Sequence, residues 1–213
     1  MLSLPDHPVL DKHRILGGCV RLPLTLDALR LRAEFEDLPD SLWGGTGGRV
    51  GVHRAAQAVF LRGYAPIEGE RPIEDRPPLQ LLPLVREFIG ALVPAPALRC
   101  LLAKLPAGVV IATHVDQADY FSKTIRLHVP IVTNDQVVMY CAGKIYRMQP
   151  GEVWALNNSA RHGVWNAHAE APRTHLICDF LPTPALLDLL RRGDAQRGQV
   201  DSAIETFLAK RDG

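Results

Sequence analysis

The 213-residue sequence lacks any charge bias: 24 Lys and Arg stand against 23 Asp and Glu. Without a basic surplus there is no electrostatic footprint for nucleic acid or an anionic membrane, so neither is expected as a partner. Cysteine is scarce as well. Cys19, Cys100, Cys141 and Cys178 are widely spaced and form no Cys-x-x-Cys pair, which argues against a disulfide framework. Reduced thiols serving as small apolar residues are expected instead. No apolar run approaches the ~20 residues of a membrane span. The opening MLSLPDHPVL is broken by Pro5, Asp6 and Pro8, so it does not read as the apolar segment of a signal peptide. A soluble, cytoplasmic protein is the expectation. Internal repeats and low-complexity tracts are absent too. The glycine-rich Gly44–Gly51 stretch lacks the Gly-Lys-Ser/Thr ending of a phosphate-binding loop, so a mobile loop or hairpin tip is expected there.

What is present divides the chain into three textures. Residues 24–36 space their apolar positions as a helix does, residues 52–66 read as a strand, and residues 84–93 as a short helix. From residue 99 short β-rich runs take over: RCLLAKL, GVVIAT, TIRLHVPIV, QVVMYCAG, KIYRM, EVWALNN, GVWNA and RTHLICDFL. Turn signals at Pro106-Ala107-Gly108, Thr133-Asn134-Asp135 and Pro150-Gly151 separate them at the spacing of a β-sandwich or barrel. Beyond Pro184, ALLDLLRRG and VDSAIETFLAKR return to helical periodicity.

Two of the β-runs carry polar residues where a buried strand would not. Side chains alternate between the faces of a strand. Arg126 and His128 therefore share one face and Ile125, Leu127, Val129 and Ile131 the other. Arg173, His175, Ile177 and Asp179 likewise alternate with Thr174, Leu176, Cys178 and Phe180. A solvent-facing polar stripe gives the same pattern for either strand alone. Two matching strands beside His114-x-Asp116 shift the balance toward a site inside a barrel.

His114 and Asp116 can converge on one ion, and His162 in NNSARHGVWN can supply a third ligand. Two histidines and a carboxylate form the facial set of non-heme Fe(II) oxygenases, although zinc accepts the same ligands. Arg173 adds to this. It lies on the next strand if GVWNA and RTHLICDF form a hairpin, and a guanidinium inside a barrel requires a carboxylate partner. Bidentate pairing suits a diacid.

The stretches THVD, IRLHVPIVTN, MQPGEVWALNNSARHGVWN and PRTHLICDF, within residues 99–182, resemble the aspartyl/asparaginyl β-hydroxylase family of cupin-like, iron- and 2-oxoglutarate-dependent oxygenases. In the metal motif the bacterial free-proline hydroxylases resemble this chain most. The resemblance implies a mainly β fold with flanking helices, a double-stranded β-helix (jelly-roll, cupin-like barrel). It implies Fe(II) held by His114 and His162, with Asp116 as the carboxylate of the ligand set read above, and 2-oxoglutarate and O2 as cosubstrates. Arg173 is implied at the distal carboxylate of 2-oxoglutarate, with Arg126 and His128 at its other end. Peptide-hydroxylating members resemble this chain but have glycine where Asp116 stands, which points here to an amino acid or amino-acid-like substrate.

The resulting expectation is one oxygenase domain over residues 1–213. Residues 1–98 would form N-terminal helices and supporting strands, 99–182 the barrel, and 183–213 a helical tail. The residues before 99 contribute little to the resemblance. A side chain in a protein or peptide remains the alternative substrate, and a non-catalytic, metal- or diacid-binding sensor the alternative of another class. Trp154 and Trp165 are expected to fill the barrel, and His168 to sit in a turn. His175 is open between an interior histidine and a cosubstrate contact, and His53, Arg54 and Arg62 between solvent and substrate.

Overall fold

The computed structural model describes residues 7–43, 45–46, 56–64 and 73–210. His53 and Arg54, and all but Gly45 and Thr46 of the Gly44–Gly51 stretch, lie outside the described residues. Strands with one apolar face and one mixed face cannot leave either face in water without cost, and the chain resolves this with two antiparallel sheets. In chain order the strands are β1 (Cys19–Thr25), β2 (Gly45–Thr46), β3 (Gln57–Arg62), β4 (Ala97–Leu105), β5 (Val110–His114), β6 (Ile125–Val132), β7 (Val137–Cys141), β8 (Lys144–Tyr146), β9 (Glu152–Leu156), β10 (His162–Asn166) and β11 (Arg173–Phe180). The larger sheet runs β1-β9-β6-β11-β4-β3-β2 and the smaller β5-β10-β7-β8.

The helices are α1 (Lys12–Leu16), α2 (Ala28–Glu36), α3 (Pro83–Glu87), α4 (Asp119–Ser122), α5 (Pro184–Arg191) and α6 (Ser202–Ala209). α3 runs directly into a π-helical turn over Phe88–Leu92. Ile125, Leu127, Val129 and Ile131 of β6 join Leu176, Cys178 and Phe180 of β11 on the outer face of the large sheet. There they meet Leu31 of α2, Val85 of α3, Phe88, and Leu186, Leu189 and Leu190 of α5 in one buried cluster. The opposite faces of the strands therefore point between the sheets. Trp154, Leu156, Leu105, Ile111, Met139, Cys141 and Val164 form a second cluster there, built from both sheets. α6 covers the outside of the small sheet through Leu208, Ile204 and Phe207. Among the described residues, no helix is long and apolar enough to cross a membrane.

Every β-run expected from residue 99 to 181 is present, and so are both tail helices. Three expectations need correction. The helical reading of 24–36 is right only from Ala28, because Val20 and Leu22 already alternate into the core from an edge strand. Pro23 is tolerated in β1 because a strand edge leaves its missing N–H without consequence. The residues before 99 also do more than support: β1, β2 and β3 complete the large sheet. Finally, β10 and β11 form no hairpin. β10 pairs with β5 and β7 in the small sheet, while β11 pairs with β4 and β6 in the large one. β10 and β11 thus lie in opposite sheets, and His162 and Arg173 are buried on different walls of the barrel.

Candidate metal and cosubstrate site

His114 closes β5, Asp116 follows it, and His162 opens β10 directly opposite His114 in the antiparallel register. The approach is close: a Cβ at Gly163 would lie 2.9 Å from the Ile111 carbonyl oxygen. One ligand atom from each of His114, Asp116 and His162 lies within 4.8 Å of the others, a spacing that can hold one metal ion.

Both imidazoles are oriented by the main chain. Nδ1 of His114 is 2.9 Å from the Ala112 carbonyl, and Nδ1 of His162 is 3.0 Å from the Ala160 carbonyl. A carbonyl only accepts, so each Nδ1 carries the proton and each Nε2 keeps its lone pair for a metal. Burial, helped by the neighbouring His114, pushes His162 down to about 4, which keeps it neutral and competent as a ligand.

Asp116 is held on one side only. Its Oδ2 accepts from Arg126 Nη1 at 2.7 Å and from Asn158 Nδ2 at 3.0 Å, while its Oδ1 faces His114 Nε2 at 3.8 Å. Burial alone would raise this carboxyl, but Arg126, His162, Asn158 and His114 together hold it well below the usual carboxylate range. Arg126 in turn grips Asp179 with two contacts, Nε to Oδ1 at 2.8 Å and Nη2 to Oδ2 at 3.1 Å. Arg99 Nη2 lies 3.2 Å from the same Oδ2. On the other side Lys12, a residue only 1% exposed, donates from Nζ to Asn158 Oδ1 at 2.6 Å.

Deeper between the sheets lie His128, Arg173 and His175, all buried. Arg173 Nη2 is 2.7 Å from His175 Nδ1. A guanidinium only donates, so His175 Nδ1 accepts and its proton is on Nε2. That Nε2, Arg173 Nε and both ring nitrogens of His128 are buried and, among the described residues, have no hydrogen-bond partner. Among the described residues no carboxylate pairs with Arg173, and burial alone pushes its guanidinium down to about 9. Burial, then Arg173, holds both His128 and His175 well below the ordinary histidine value.

The six residues singled out in the sequence thus fall into three settings. His114, Asp116 and His162 converge, and Arg173 stands with His128. Arg126 differs from the others in its partners, because the N–H groups expected to meet a cosubstrate are directed at Asp179 and Asp116. Trp154 fills the barrel as expected. Trp165 does not: it stacks on Phe207 of α6 at 4.2 Å, outside the small sheet. His168 does sit in a turn, its Nδ1 accepting from the Glu170 and Ala171 N–H groups. Arg62 is directed at the Ala97 carbonyl and Asp75. Lys12, Asn158, Asp179 and Arg99 were assigned no role from sequence. Only Asp179 carried a signal, its alternation with Arg173 and His175 on one strand face.

A solved oxidoreductase of the 2OG-Fe(II) oxygenase family from Burkholderia pseudomallei superposes with a TM-score of 0.54 at 20% identity, covering 87% of this chain and 91% of the other. A prolyl hydroxylase from Trichoplax adhaerens, solved with a hypoxia-inducible factor peptide fragment, does so with a TM-score of 0.51 at 16% identity, covering 81% and 87%. These likenesses establish the jelly-roll fold. The sequence model of the aspartyl/asparaginyl β-hydroxylase family matches residues 75–182, just over half of the chain. The protein is a member of the aspartyl/asparaginyl β-hydroxylase family.

Proposed function

We propose that the protein is an Fe(II)- and 2-oxoglutarate-dependent dioxygenase that hydroxylates an amino acid or amino-acid-like small molecule. The observation that carries this reading is a two-histidine, one-carboxylate cluster linked through His128, which feels both His162 and Arg173, to a buried guanidinium that among the described residues has no carboxylate partner. Buried polar atoms without partners are rare because each costs on the order of 1–3 kcal/mol. Four of them around Arg173, His175 and His128 fit an anion that arrives from outside.

In this reading His114 Nε2, His162 Nε2 and Asp116 Oδ1 hold the iron. Arg173 and His175 receive the distal carboxylate of 2-oxoglutarate, and His128 lies beside them. Bound together, iron, 2-oxoglutarate and O2 supply the oxidant that converts a C–H bond into C–OH, with succinate and CO2 as coproducts. The protein's own work is positional. Main-chain carbonyls fix the tautomers of both ligand histidines, and Arg126 and Asn158 occupy one oxygen of Asp116 so that the other is presented. The apolar wall of Trp154, Leu105 and Leu156 limits water between the sheets.

Asp116 also supports the small-molecule side of the proposal. Peptide-hydroxylating members of the family have a glycine at this position, whereas here a whole hydrogen-bond network serves the carboxylate. The test is succinate release after anaerobic Fe(II) loading, screened over free amino acids and over peptides. Turnover with a free amino acid is expected. Turnover confined to peptides would transfer the proposal to the side-chain reading, and no 2-oxoglutarate consumption with any substrate would favour a binding protein.

A further inference from the structure

We propose that Lys12, on the first helix outside the barrel, is a positioning residue for the Asp116 ligand, acting through Asn158; this inference rests on the metal site proposed above. Lys12 is unusual on burial alone, since lysine is almost never this enclosed without a partner. Its partner is not an acid. Lys12 Nζ meets Asn158 Oδ1 at 2.6 Å, and Asn158 Nδ2 meets Asp116 Oδ2 at 3.0 Å.

Donor and acceptor chemistry sets the direction of this relay. An ammonium can only donate and a carboxylate can only accept, so the amide between them has one allowed orientation, oxygen to Lys12 and nitrogen to Asp116. Without Lys12 the amide could turn over and set its oxygen against the carboxylate. The main chain is recruited to the same end. Asp116 N donates to the Asn158 carbonyl at 3.0 Å, Asn157 N to Gly18 O at 3.0 Å, and Asn157 Nδ2 to Gly17 O at 2.8 Å. The turn after β9 is thereby clamped between the N-terminal segment and the ligand loop. Asn158 is fully buried, so no water competes for its amide.

Outer partners that orient a ligand typically contribute ten- to a hundred-fold in metal affinity. The test is titration of the full-length protein with Co(II), whose visible absorption reports ligand geometry, in Lys12→Met, Asn158→Ala, Asp116→Ala and His114→Ala. Lys12→Met and Asn158→Ala should each weaken Co(II) about ten- to a hundred-fold and change the absorption envelope. In an Asp116→Ala background neither should weaken it further, because the carboxylate they orient is gone. Unchanged Co(II) affinity in both variants, or an equal loss with and without Asp116, overturns the inference. Should Lys12→Met fail the urea unfolding check, the Asn158→Ala comparison decides alone. His114→Ala separates the two levels: if it too leaves Co(II) affinity unchanged, the metal site itself is wrong.

Discussion

Arg173 sets stability against function in a measurable way. Burial pushes its guanidinium well below the ordinary arginine value, down to about 9, and among the described residues no acid offsets it. At 1.36 kcal/mol per pKa unit, that corresponds to roughly 5 kcal/mol of lost solvation for the charged form. Arg173→Met keeps most of the apolar stem and removes the charge. Replacing buried charge with well-packed apolar groups is neutral or stabilising by about 1–4 kcal/mol. The ligand-free variant should therefore match or exceed the wild type in urea unfolding. Adding 2-oxoglutarate at about a hundred times its Kd, with redox-inert Zn(II) at the metal site, should add about 2.7 kcal/mol to the wild type. The variant should gain only about 0.4–1.4 kcal/mol at that concentration, because losing the charge-assisted contact weakens Kd roughly ten- to a hundred-fold. Arg173→Lys should fall between, since a point charge does not reproduce a planar fork. A variant destabilised by more than about 1 kcal/mol that still gains the full 2-oxoglutarate stabilisation refutes the reasoning, for it would make Arg173 a structural residue.

Four further outcomes follow from particular contacts. Asp179→Asn removes the carboxylate shared by Arg126 and Arg99 and should cost about 3–5 kcal/mol by urea unfolding, because it leaves buried cations under-paired. His128 and His175 are neutral in the fold, their pKa values lying well below the ordinary value, so the unfolded chain binds protons that the folded chain does not. Stability should be complete above about pH 6.5 and fall as pH drops below it, by up to roughly 2.7 kcal/mol per pH unit from the pair; a flat urea midpoint between pH 7 and 5 contradicts their burial. His162→Ala and His114→Ala should each abolish stoichiometric iron and succinate release, measured by metal analysis and product assay. All four cysteines are free and buried, so a thiol reagent should modify them only after denaturation, and non-reducing mass analysis should find no bridge.

The sequence by itself determined the strands and the kinds of residue they carry. Alternation in IRLHVPIV and RTHLICDF assigned Ile125, Leu127, Leu176 and Phe180 to one face and Arg126, His128, Arg173 and His175 to the other, and the structure keeps that division. The period of a strand is a local property, so it is legible wherever turns bound it. Which face looks inward is not local. A polar stripe in water and a polar stripe inside a barrel have the same alternation, and only the second sheet decides between them. Partners are less local still. Arg126 could be placed on the same strand face as His128, but its grip on Asp179 depends on β6 pairing with β11, far along the chain. Lys12 lay in a segment with no visible signal, and reaches Asn158 only because α1 packs where the turn after β9 emerges. Residue chemistry supplied the candidates, and the long-range register of the two sheets chose which of them meet.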